Sequence, residues 1–265
     1  MSESDSFTPP ENEAQPPAPD LATGGSLADE GVRPTHEIFW GWHDFFLFVF
    51  ITLVSLGAAM LAAVGIRQAF HISEARMNIV LVAGQLAAYG VSFTCLKLMF
   101  QAEYGEPLLR SLRWLPSHIP PGGLMMIGLA QAFVIAIAGS LMNLPQTENP
   151  MTRLMSDRAT SIVLAIFGVT AAPLAEELAF RGLLQPLMIR LTGVAPGILV
   201  TAVLFGFMHH SQYESWQSVV LIAVAGAGFG AMRYFTGSTQ ASAIMHAGYN
   251  STLFILFFAQ KGPSH

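Results

Sequence analysis

Charge is scarce in this chain. Asp, Glu, Lys and Arg make up 11% of its 265 residues, where soluble domains carry roughly 25%. Hydrophobic residues make up 52%, and a chain so apolar and so poor in charge belongs in a bilayer. Cysteine occurs once, at Cys95, which excludes an internal disulfide and any cysteine-based metal site. Its apolar neighbours mark it as a small core residue. There is no clustered basic face, so nucleic acid is excluded as a partner. No His-Glu-x-x-His helix is present, so the chain is not an ordinary zincin. A positive n-region followed by a short apolar stretch is also lacking, so the first apolar segment is expected to stay as an uncleaved anchor.

What charge there is sits unevenly. Residues 1–44 hold nine acidic residues and one basic residue, Arg33, so the net charge of −5 belongs to the N-terminus. Residues 1–38 are acidic and Pro-rich and bury too little apolar area to offset their ordering entropy, so they are expected to be a disordered tail. Residues 39–265 form the membrane domain, with N-terminal spans over 39–142 and a chemistry-bearing core over 143–265.

Seven apolar runs follow: 45–66, 77–96, 123–141, 160–175, 198–209, 216–232 and 241–258. The first, at 1.5 Å per residue, reaches about 33 Å, enough for a hydrocarbon core of about 30 Å. The fold class is therefore all-α, a polytopic membrane helix bundle of about seven transmembrane helices with its polar residues inside. Trp40 and Trp42 read as interfacial anchors, 67–76 as a polar connector, and 108–114 as a short interfacial helix. Gly193 to Gly197 reads as a break, and Gly226 with Gly230 as a small-residue face for close helix packing. Counting Lys and Arg on alternate connectors gives seven against five in favour of a cytoplasmic N-terminus.

Three polar groups interrupt the apolar runs. Glu176 and Glu177 lie at the end of the fourth, past Pro173, with Arg181 four residues beyond Glu177. A charge inside a lipid-embedded helix costs at least ~2.5–3.5 kcal/mol, so its default reading is functional. Glu177 and Arg181, at i and i+4, can pair on one face. Glu176 lies about 100° round the helix and is left free, which suits a general base. His209 follows Phe205 by four residues, and His246 precedes Asn250 by four on the seventh run. That stripe needs polar partners, and facing Glu176 and His209 would supply them. One Glu, two His and one Asn in a cavity read as water activation with donors for an oxyanion. An interfacial ion-pair cluster and a rim histidine are the plain alternatives.

Glu-Glu-x-x-x-Arg, Phe-x-x-x-His and His-x-x-x-Asn, in this order on separate spans, resemble the CPBP family, the CAAX prenyl-protease and bacteriocin-processing (Abi) intramembrane proteases. The motifs are Glu176 to Gly182, Phe205 to His209 and His246 to Asn250, and the resemblance covers roughly 160–258. It implies an intramembrane endopeptidase of a bacterial-type cytoplasmic membrane, acting on a membrane-associated peptide or protein, of which a prenylated CAAX peptide is one option. It further implies Glu176 as base, His209 orienting water, His246 and Asn250 stabilising the oxyanion, and Glu177 with Arg181 supporting the site. The family is described both as metal-free and as metal-dependent. The metal-free glutamate mechanism is the favoured reading, and a zinc held by Glu176, His209 and His246 is the other. A non-enzymatic immunity or scaffold protein on the same fold competes with the enzyme. A transporter is disfavoured by the lack of an internal repeat. Oligomeric state is not specified.

Overall fold

The computed structural model describes residues 38–142 and 148–261. The expected disordered tail lies outside these residues except for Ile38, as does the start of the loop after the third span. The elements are α1 (Trp42–Phe70), α2 (Glu74–Met99), a π-helical turn (Phe100–Tyr104), α3 (Leu108–Ser111), α4 (Pro121–Leu141), α5 (Pro150–Leu154), α6 (Arg158–Val169), α7 (Ala171–Glu177), a second π-helical stretch (Leu178–Leu184), α8 (Gln185–Thr192), α9 (Val194–Met208), α10 (His210–Tyr213), α11 (Trp216–Thr236) and α12 (Thr239–Lys261). Among the described residues there is no strand, and seven helical stretches are long and apolar enough to cross a membrane. The protein is an all-α integral membrane bundle.

The spans run longer than the apolar runs suggested. α1 continues through Arg67 to Phe70, and the connector shrinks to three residues because His71 in the left-handed conformation ends the helix. α9 begins at Val194, so the break is Gly193 alone, at φ +89°. Pro196 sits in the first turn of α9, where its missing N–H costs no helical bond. Cys95 is half-buried rather than a core residue.

Trp40 is not an interfacial anchor. It is 3% exposed and its Nε1 donates to the Leu183 carbonyl at 3.2 Å, so it braces the second π stretch from the start of the chain. The 108–114 segment is helical over Leu108–Ser111 only, with Leu109 exposed and its other face buried. Leu108 and Leu112 are buried with Trp40, Phe100 and Leu183, and Leu112 packs where Gly182 leaves room.

α12 packs on α4, α11 on α9, and α1 on α2. The α4–α12 crossing is close because two glycines face backbone. A Cβ on Gly128 would run into the Met245 carbonyl, and one on Gly248 into the backbone of Met125. In a bilayer, where apolar contact with lipid competes with helix contact, such close backbone approach is what favours association. It also fixes the rotation of α12 and with it the direction of its polar stripe.

Candidate active site

The fourth span is irregular where its polar residues lie. Thr170 (φ −117°, ψ −79°) separates α6 from α7, three residues before Pro173, and α7 widens into the π stretch directly after Glu177. Single π turns inside helices concentrate at functional positions, since the wider turn re-aims side chains.

Glu177 and Arg181 are fully buried and pair at 3.0 Å, Arg181 Nη1 to Glu177 Oε1, as the four-residue spacing predicts. Arg181 Nη2 donates to the Gly226 carbonyl at 2.8 Å, and its guanidinium lies 4.4 Å from the Phe205 ring centre. Gln185 Nε2 reaches the Gly230 carbonyl at 3.0 Å one turn further on. The small-residue face of α11 therefore does more than bring helices together. Side chains at 226 and 230 would occupy the space through which Arg181 and Gln185 reach the backbone.

His246 lies between the two carboxylates. Its Nδ1 is 2.9 Å from Glu177 Oε1 and its Nε2 is 3.9 Å from Glu176 Oε2. The imidazole is 4% exposed and stacks on Phe229 at 4.3 Å. Glu177 receives a further bond at 2.5 Å from Ser242, whose hydroxyl also lies 2.9 Å from the Phe229 carbonyl and can donate to one of the two at a time. Glu176 is 19% exposed and makes no hydrogen bond with another described side chain. Two carboxylates and one guanidinium leave one negative charge uncompensated.

His209 and Asn250 are placed differently from the sequence reading. His209 Nδ1 is 2.8 Å from the Phe205 carbonyl. A carbonyl can only accept, so Nδ1 carries the hydrogen and a neutral ring leaves Nε2 as the acceptor. No hydrogen bond or ion pair joins His209 to Glu176 among the described residues. Asn250 Nδ2 donates to the Gly168 carbonyl at 2.7 Å, just ahead of the irregular turn in the fourth span. The stripe thus finds partners that residue patterns could not show, a second carboxylate and a backbone carbonyl. Sequence reasoning missed Ser242 and Gln185. Ser242 sits four residues before His246 on the same helical face, and that spacing was available as a signal.

A cavity of about 550 Å³ is lined mainly by apolar side chains of α4, α11 and α12, with Tyr213 and Tyr249 among its walls; no residue of the cluster lines it, and Tyr249 packs on Phe229.

The donor set of one Glu and two His suits zinc in kind, and the Glu177–His246 bond resembles the outer carboxylate that orients a ligating imidazole. In arrangement it does not fit. Among the described residues no three His, Cys, Asp or Glu side chains are grouped so that they could hold a metal ion.

The fold and this cluster define a class: a polytopic membrane protein with a carboxylate, an arginine and a histidine buried together between its spans and a second, partly exposed carboxylate beside them. Residues 158–252 match the family model described as type II CAAX prenyl endopeptidase Rce1-like, which agrees with the CPBP resemblance and covers all six polar residues. The match takes in the spans that carry the cluster and about a third of the chain. No curated protein and no solved structure matches the chain.

Proposed function

We propose that the protein is an intramembrane endopeptidase in which Glu176 activates water against a peptide carbonyl. The observation that carries this reading is the position of His246, bonded to Glu177 through Nδ1 while Nε2 faces Glu176 across 3.9 Å. That gap is too long for a direct hydrogen bond and suits an oxygen held between the two groups. Glu176 takes the proton of the attacking water and, when the tetrahedral intermediate collapses, returns it to the leaving amine as the C–N bond breaks. Protonated His246, balanced by Glu177, donates from Nε2 to the oxyanion and stabilises the tetrahedral intermediate. A single such donor contributes about 2.7–4 kcal/mol. Glu177 and Arg181 hold His246 in position, and Asn250 holds the Gly168 turn ahead of Glu176. His209 offers Nε2 as a further acceptor toward water.

The substrate reaches the site within the membrane. The apolar cavity beside Tyr213 suits a hydrophobic peptide segment, with a prenylated CAAX-type chain one option within that class. Ser140, Tyr213 and Ser218 mark the end of the bundle opposite Trp42. With the N-terminus in the cytoplasm of a bacterial-type inner membrane, this end faces outward.

The test is cleavage of membrane peptides by purified protein in lipid vesicles. Glu176→Gln and His246→Ala should each abolish cleavage while melting as folded proteins. Cleavage retained in both would overturn the reading, and a phenotype that survives Glu176→Gln would point to a scaffold protein. Full activity after exhaustive chelation, with metal content measured, would support the metal-free route.

A further inference from the structure

At the opposite end of the bundle from the cavity, the corner where α11 passes into α12 is tightly built and positively charged. Arg113 takes a positive φ of 60°, and its carbonyl accepts from Thr239 N at 2.9 Å. Thr239 Oγ1 donates to the Leu112 carbonyl at 2.6 Å, and Ser238 Oγ to that of Leu115. These bonds fasten the 105–120 connector to residues 238 and 239.

Two guanidinium groups meet on this corner. Arg113 Nε donates to the Gly237 carbonyl at 3.3 Å, and Arg233 Nε donates to Thr239 Oγ1 at 2.9 Å. Each arginine is thus fixed through Nε, on residues two apart. Among the described residues no hydrogen bond engages the terminal Nη atoms of either, and no carboxylate pairs with either. The C-terminal end of α11 favours nearby positive charge, but that leaves two planar forks of donors without an anion. Such forks match the oxygens of a phosphate. Half-exposed Leu109, Tyr234 at 40% exposure and Phe235 at 69% lie on the neighbouring helical surface. Aromatic side chains at a span end belong at headgroup level.

We propose that this corner binds the phosphate of an anionic phospholipid headgroup, with Arg113 and Arg233 sharing its oxygens. The proposal is independent of the catalytic reading. The shared ligand chemistry is a phosphate oxyanion, and the flanking apolar surface favours the lipid over soluble phosphate. Thr239 opens the helix that carries Ser242 and His246, so an occupied corner also steadies the start of that stripe.

The experiment titrates full-length protein in neutral detergent with phosphatidylglycerol, phosphatidylcholine or inorganic phosphate. Bound lipid is read by native mass spectrometry, and melting by tryptophan fluorescence. Two basic residues near a membrane surface predict a preference for the anionic over the zwitterionic lipid on the order of 10- to 30-fold. The Arg113→Gln/Arg233→Gln protein should lose that preference, and Arg233→Lys should retain most of it. If the double variant does not fold, Arg233→Gln, which keeps a donor for Thr239, should lower the preference about fivefold. Equal binding of both lipids by the wild-type protein, or an unchanged preference in the Gln variants, would overturn the proposal. So would equal stabilisation by inorganic phosphate, which would assign the corner to a soluble anion.

Discussion

Replacing Glu177 with Gln separates the residue that holds the cluster from the one proposed to react. The wild-type carboxylate faces three buried groups, Arg181 at 3.0 Å, His246 at 2.9 Å and Ser242 at 2.5 Å. Gln keeps one acceptor oxygen, and its amide can be received by Ser242 once that hydroxyl donates to the Phe229 carbonyl, so the loss falls on charge. Arg181, with no exposed surface, loses its neutralising charge. Breaking a buried ion pair from one side costs about 3–5 kcal/mol, which is about 150- to 5,000-fold in the unfolding equilibrium. For a chain of this size that corresponds to a melting point lower by about 6–20 °C. Glu176→Gln touches a partly exposed group with one contact at 3.9 Å. It should shift stability by no more than about 1 kcal/mol, the net worth of one hydrogen bond. Melting of both proteins in the same detergent, followed by tryptophan fluorescence, checks the contrast. A Glu177→Gln protein melting within about 2 °C of wild type, or above Glu176→Gln, would refute the assigned division of labour.

Other outcomes follow from the same geometry. Glu176→Gln should lower the cleavage rate in vesicles by about 100- to 10,000-fold, the range for loss of a general base. Gly128→Ala drives a Cβ into the Met245 carbonyl. Backbone cannot rotate away, so a cost of about 1–3 kcal/mol or more is expected in a melting assay. Asn250→Ala should cost about 0.5–1.5 kcal/mol through loss of the bond to Gly168, and should reduce cleavage less than His246→Ala does. An equal loss of activity would return Asn250 to an oxyanion role. Cysteines placed at Ser140 and Ser218 should react with impermeant reagents from the side opposite the N-terminus.

Local spacing made the centre of the site legible and left its surroundings unread. Glu177 with Arg181, and His246 with Asn250, are four residues apart on a helix, so each pair shares a face whatever the rest of the chain does. The seven spans were legible because hydrocarbon excludes charge. Their ends were not, because Arg67 and His71 lie beyond the apolar run while the helix continues past it. Trp40 looked like an interfacial anchor from its position before an apolar run. Its actual partner, the Leu183 carbonyl, lies 143 residues away, which no local pattern encodes. The π stretch is similarly hidden, since Leu178 to Leu184 contains no residue that demands it. Its effect is large, because the wider turn carries Arg181 toward Gly226 while Glu177 stays with His246 and Ser242. Glycine at 226 and 230 was read as packing. Its further role follows only once Arg181 and Gln185 are seen to occupy the space that a side chain would fill. A methyl group at 226 or 230 would therefore act on the cluster through Arg181 or Gln185 before it altered the spacing of the helices.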